Sequence, residues 1–238
     1  MSSPKVAIII YTMYGHIATL AESIKIGLQS AGGTTAIYQI AETLPQEILM
    51  KLHAPPKPAY PIITPEELLL FDAFLFGIPT HYGNMPAQWR HFWDATGGLW
   101  AKGALSGKTA GMFFSTGVLG GGQETTAISS ISTLVHHGLT YVPLGYGTAF
   151  AQLTDVTEVH GGACVSWSPS AWLTSAGYRG SPWGSGTFAG SDGLRQPSVL
   201  ELEIARIQGK SFWQHLTRNT QHAVELVQNF DGLQILLM

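Results

Sequence analysis

The sequence predicts an α/β protein, a parallel sheet with helices on both faces. Three observations carry that prediction. Short apolar, β-branched runs alternate with stretches whose apolar residues recur at helical spacing. The opening segment, to Ile40, reads strand, turn, helix, strand, a βαβ unit whose crossover is right-handed. Three strand ends carry polar or glycine-rich sequence, which a parallel sheet brings out on one edge.

Residues 6–11 are a continuous apolar run, as in a strand buried on both faces. After a turn, Ile17, Leu20, Ala21, Ile24 and Leu28 form a helical stripe that Ala31, Gly32 and Gly33 stop. Residues 34–40 read as a second strand. Residues 53–65 contain Pro55, Pro56, Pro58, Pro61 and Pro65 and form an extended excursion. Thr64 and Glu67 sit at capping-box spacing and mark a helix start. Residues 73–78 are a third strand, followed by a Trp- and Phe-rich helix over 86–95. Residues 109–114 are a fourth strand, with a helix over 123–136 behind it, and 141–144 are a candidate fifth. Residues 160–193 are rich in Gly, Ser, Trp and Pro and show no period; from Pro197 to Asn229 helical spacing returns. There is no internal repeat, and one domain, 1–238, accounts for the chain.

Composition narrows the function. A net charge of −3 gives no electrostatic footprint for nucleic acid and no polybasic membrane signal. Charged residues are 11 %, against about 25 % in an ordinary domain. There are 28 glycines in 238 residues, well above the usual ~7 %. The first suggests surface covered by other subunits, the second close backbone approach to something. One cysteine, Cys164, excludes a disulfide framework and a Cys-based zinc cluster and is compatible with a reducing compartment. No signal-peptide pattern and no apolar run near ~18 residues is present, so a cytoplasmic protein without a membrane span is expected.

The strand ends carry the chemistry. Thr12, Met13, Tyr14, Gly15, His16 and Ile17 place a hydroxyl at a strand end and a glycine at a helix start. Backbone N–H groups and the helix dipole there can hold a phosphate without Lys or Arg; an ordinary capped strand–helix turn fits as well. The segment is neither a Walker A loop nor G-x-G-x-x-G. Ser115, Thr116 and Gly117, followed by Gly120, Gly121 and Gly122, let backbone lie flat on a planar ligand; a surface turn is the alternative. Pro79, Thr80, His81, Tyr82, Gly83 and Asn84 form a loop whose tyrosine can flank a ring, or a plain βα connection. The 184–190 segment imitates a dinucleotide fingerprint but has one residue too many and follows no strand. His136 and His137 are adjacent, so they diverge on a helix, and no metal-ligand spacing or Gly-x-Ser-x-Gly elbow appears. Spacing alone makes Trp89, Trp93 and Trp100 core or interface residues.

VAIIIYTMYGHI (6–17), FGIPTHYGNM (76–85), TGGLWAKGA (96–104), STGVLGGGQE (115–124), HHGL (136–139) and AGSDGLRQPS (189–198) together resemble the WrbA-type NAD(P)H:quinone oxidoreductases, above all the fungal branch. The resemblance implies a flavodoxin-like fold, a doubly wound five-stranded sheet in the order 2-1-3-4-5, with FMN as cofactor and NADH or NADPH as donor. It assigns the FMN phosphate to Thr12 through Ile17. It assigns the ring and ribityl chain to the Pro79–Asn84 loop, with Thr80, His81 and Tyr82 in contact. The polar edge of the flavin falls to Ser115, Thr116, Gly117 and the following glycines. His137 approaches the ring as a catalytic residue with Tyr82, and Tyr14 and Trp100 contact nicotinamide or quinone. It implies no metal, a ping-pong reaction, and a homotetramer whose active site is lined by more than one subunit.

Two departures stand against the family pattern. The glycine loop has Val118 and Leu119 where the family has one residue, which bears on FMN hydrogen bonding. Residues 163–180 separate His160-Gly161-Gly162 from Ser181-Pro182-Trp183-Gly184, and deleting them restores the pattern. One hypothesis is a retained intron; a native peptide spanning Cys164 would rule it out in favour of a genuine loop. Residues 219–238 form an extra C-terminal tail. Two rival readings of the whole chain are a flavodoxin-like electron carrier and a flavin-bound regulatory or scaffold protein.

Overall fold

The computed structural model describes residues 3–153, 158, 160–162 and 181–235, with side chains to residue 218. The 163–180 insertion lies outside the described residues, as do 236–238 and the side chains of the rest of the C-terminal tail.

The βαβ opening forms as expected. β1 (Val6–Ile10) leads into α1 (His16–Ser30), and β2 (Thr35–Gln39) pairs β1 in parallel. The Pro-rich excursion follows α2 (Gln46–Lys51), a helix the sequence did not announce. The capping-box signal produces a short 3-10 helix, Glu66–Leu70, in which the Glu67 carboxylate accepts the Thr64 N–H at 2.7 Å. β3 (Ala73–Pro79), α3 (Ala87–Asp94), α4 (Gly97–Ala101), β4 (Thr109–Thr116) and α5 (Gln123–His136) follow in turn. The sheet order is β2-β1-β3-β4-β5, all parallel, the order expected from the resemblance.

The fifth position differs from expectation. Only Thr140–Tyr141 forms β5, against the start of β4. Val142 still donates its N–H to Ala110 O, but Pro143 has no N–H to continue the ladder. The same edge is resumed by β6 (Gly186–Phe188), which pairs Phe114–Thr116 at the other end of β4. β6 lies inside the glycine-rich 184–190 segment. Glycine is poor in strands, but a Cβ at Gly186 would stand 2.3 Å from Gln123 Oε1. Between the two strand pieces runs α6 (Phe150–Leu153), and after β6 the long α7 (Val199–Ile235).

Alternate residues of β1 and β3 feed two cores. Ala7, Ile9, Phe74 and Phe76 pack with Trp89 and Trp93 of α3 and with Ala127 and Leu134 of α5. Val6, Ile8, Ile10 and Leu75 pack with Leu20 and Ile24 of α1 and with Phe212 and Trp213 of α7. Helices therefore cover both faces, and ligands are left the sheet edge where β1, β3 and β4 end.

Candidate functional site

A cavity of about 640 Å³ opens at that edge, within the range of small-molecule sites. The β1–α1 turn supplies Thr12, Met13, Tyr14 and His16; the end of β3 supplies Pro79, Thr80 and His81; the end of β4 supplies Ser115, Thr116 and Gly117. Three separate motifs thus meet in one cavity, as parallel strands dictate.

Gly15 takes φ 93° immediately before α1, a conformation that favours glycine. Its N–H donates to Thr12 Oγ1 at 3.1 Å. No acidic residue occupies the first turn of α1, so the positive end of the helix dipole is uncompensated by its own sequence. His16 donates Nε2–H to the Arg195 carbonyl at 2.6 Å, which fixes the ring. Behind the loop, Lys57 donates to Thr12 O at 2.7 Å, pairs with Glu42 at 2.8 Å and lies 4.4 Å over the Tyr11 ring. Burial alone would raise the Glu42 carboxyl. Hydrogen bonds from Lys57, the Leu44 N–H, Gln88 and Tyr11 outweigh it and hold the pKa at about 2. The charge of Lys57 is thus spent on Glu42.

Thr80 donates its N–H to Ser115 O at 2.7 Å, stitching two walls together. Its Oγ1 is buried and has no hydrogen-bond partner among the described residues. Thr116 Oγ1 is fully engaged, donating to Val118 O and accepting from Gln123. Nothing lies within 4 Å of the place a Cβ would take at Gly117. Desolvation pushes His81 below its ordinary pKa, so near neutral pH the ring is uncharged.

Other expected site residues stand elsewhere. Ile17 is in the α1 core and abuts Gly77. Gly83 and Asn84 form the turn in which His81 and Asn84 exchange backbone hydrogen bonds. Tyr82, at φ 52°, is fully exposed. Gly120, Gly121 and Gly122 line a neighbouring cavity of about 150 Å³ with Gly162. Gly122 packs on the turn, its Cβ position 2.9 Å from Gly83 Cα.

His137 and Trp100 are at the opposite sheet edge. Gly138 accepts from Gly107 N–H, just before β4 begins, whereas the cavity is at the end of β4. The six steps from Thr109 to Ser115 span about 20 Å. His137 is buried. The Thr96 hydroxyl donates to Trp93 O, so His137 Nε2–H must donate to Thr96 Oγ1 at 2.9 Å. Its Nδ1 is buried without a partner among the described residues, and burial with neighbouring His136 lowers its pKa.

Sequence reasoning missed two walls. Residues Ala189, Gly190, Ser191, Asp192, Gly193 and Leu194 close one side, and His53 borders another. The first lay within a motif already quoted. The second was signalled only by the proline density of the excursion, which pre-sets backbone; Tyr14 OH donates to Leu52 O there at 3.0 Å.

The donor set fits FMN. The uncompensated α1 end suits a phosphate, the unpartnered Thr80 hydroxyl a polar chain, and the bare backbone at Gly117 a planar edge. Residues 5–151 match the family model of NADPH-dependent FMN reductases. The chain belongs to that family. This FMN reductase family member is 56 % identical over 216 residues to the NAD(P)H quinone oxidoreductase PST3 of Candida albicans, covering 91 % of this chain and 100 % of that one. It is 55 % identical over 215 residues to Protoplast secreted protein 2 of Saccharomyces cerevisiae, with 90 % and 99 % covered. The flavodoxin, WrbA-like protein from Agrobacterium tumefaciens superposes with a TM-score of 0.55 at 19 % identity, covering 91 % and 99 %, a likeness of fold. Among the described residues, no helix of this family member is long and apolar enough to cross a membrane.

Proposed function

We propose that the chain is a WrbA-type, FMN-dependent NAD(P)H:quinone oxidoreductase that reduces quinones to hydroquinones by two electrons. The observation that carries the reading is the meeting of Thr12–His16, Pro79–His81 and Ser115–Gly117 around one cavity, with an uncompensated helix end and, on its wall, Thr80 with an unpartnered hydroxyl. The names of the fungal relatives support it.

FMN bound there supplies the electron chemistry between NAD(P)H and a quinone. The chain does the rest. The N–H groups opening α1 bind the phosphate dianion, and the Thr80 hydroxyl orients the ribityl chain or ring. Backbone at 115–117 holds the polar edge and excludes water from it. Tyr14 and Trp100 form apolar platforms for nicotinamide and quinone. Tyr82 donates its hydroxyl to a quinone oxygen, and His137, whose Nε2–H is held by Thr96, accepts at Nδ1 from the hydroquinone O–H.

Gly138, next to His137, bonds at the start of β4, about 20 Å along the strand from the cavity end, and in our reading His137 and Trp100 serve the cavity of another copy. The homotetramer of the family supplies that arrangement, and the single cysteine is compatible with the cytosol, where we place the protein.

The test is NAD(P)H oxidation by the FMN-loaded protein with and without benzoquinone. Quinone-dependent turnover is expected; its absence would favour an electron carrier or a regulatory flavoprotein. Changing His137 and Tyr82 together to Ala, with FMN retained, should cut quinone turnover roughly a hundredfold. Unchanged turnover would remove both from the mechanism.

A further inference from the structure

The wall at residues 189–194 is closed on itself. Ala189 N–H donates to Thr116 O at its start, and Arg195 N–H returns to Ala189 O at its end, both at 2.9 Å. The groups that place the closing residue lie outside the cavity. Arg195 Nη1 donates to Glu201 Oε2 at 3.0 Å and to Phe188 O at 2.9 Å, and the guanidinium lies 3.8 Å over the Phe188 ring. Glu201 is fully buried. Its carboxylate also takes the Thr187 hydroxyl (2.8 Å), the Ser198 N–H (2.8 Å) and the Gly161 N–H (2.6 Å). A buried carboxylate is tolerated in such a place when it is paired and hydrogen-bonded to this degree. It is therefore a fixed anchor, shared by β6, the 160–162 segment and the start of α7.

The other side of Arg195 faces the site. Its carbonyl takes the His16 Nε2–H at 2.6 Å, and His16 is the first residue of α1, at the end that suits an anion. One residue thus reads a buried anchor with its side chain and holds a cavity residue with its main chain.

We propose that Arg195 is a positioning residue for the phosphate end of the cavity. Its guanidinium, seated on Glu201, sets the place of its own carbonyl, which orients His16 and closes the 189–194 wall against the start of α1. The inference rests on the FMN reading and deepens it, because it names the pair that gives FMN its advantage over riboflavin. Riboflavin lacks the phosphate and does not engage the α1 end, so displacement of His16 and the wall costs FMN affinity and spares riboflavin.

The experiment titrates the full chain, freed of flavin, with FMN and with riboflavin, following quenching of flavin fluorescence. Arg195→Met keeps an unbranched side chain but removes the guanidinium from Phe188 and Glu201. The double variant Arg195→Met, Glu201→Gln removes both charges, so no buried carboxylate is stranded. Both are expected to bind FMN about tenfold more weakly, the worth of one charge-assisted hydrogen bond, with riboflavin affinity unchanged. Arg195→Lys restores a cation opposite Glu201 and should regain most of the FMN affinity. The proposal is overturned if the folded double variant keeps the wild-type ratio of FMN to riboflavin affinity, or loses both equally. It is overturned equally if Arg195→Lys, folded, is no better than Arg195→Met. A wild-type protein that binds riboflavin as tightly as FMN overturns the FMN reading itself.

Discussion

Glu42 accepts hydrogen bonds from Tyr11, Gln88 and the Leu44 N–H, and pairs with Lys57, which reaches on to the Thr12 carbonyl. The strand-end loop is thereby braced from behind by a residue 45 positions away in sequence. Nothing local announces such a brace, so Lys57 was invisible in the sequence, whereas Thr12 and Thr80 were legible because they end strands. The carboxyl of Glu42 lies at about 2, below its ordinary 4.5. Its stabilising contribution is complete above about pH 4.5 and is lost as pH falls through about 2, where the folded form protonates. Urea unfolding from pH 5 downward should show wild type losing more stability than Glu42→Gln. Parallel curves would contradict that assignment.

Two helices owe their contact to glycine. A Cβ at Gly27 of α1 would stand 1.8 Å from Arg206 O of α7, and one at Gly209 of α7 would stand 2.0 Å from Ile24 O of α1. Neither neighbour is a flexible side chain, so the helices must separate to admit a methyl. Gly27→Ala or Gly209→Ala is expected to cost about 2–3 kcal/mol in urea unfolding. Gly97→Ala, where nothing lies within 4 Å of the Cβ position, should stay within about 0.5 kcal/mol. Equal losses at all three would refute the close-approach explanation. β1, β3 and β4 were legible as elements because burial on both faces writes a continuous apolar run. The fifth strand position was legible only in part, because the candidate 141–144 meets β5 at Tyr141 alone and β6 went unannounced. Its two pieces hold two and three residues, and Tyr141 and Gly186 become collinear only through their shared partner β4.

The glycine excess takes a different meaning at the scale of the molecule. Gly117 does leave backbone bare at the cavity, but Gly27, Gly161, Gly184 and Gly209 are needed where the chain meets its own backbone. The shortage of charge goes with exposed apolar side chains: Ile128 and Val135 on α5, Tyr82 and Trp100. The proposed tetramer would cover such surface and bring His137 to a neighbouring cavity. Light scattering should give four chains per particle, and a monomer that turns over quinone at full rate would contradict shared sites. The central claim is that the cavity at the ends of β1, β3 and β4 holds FMN and passes two electrons from NAD(P)H to a quinone. Anaerobic stopped-flow tests it most directly. FMN-loaded protein should bleach with one equivalent of NAD(P)H and regain its full flavin absorbance with one equivalent of benzoquinone. A flavin that NAD(P)H does not bleach, or that benzoquinone does not restore, would contradict the account.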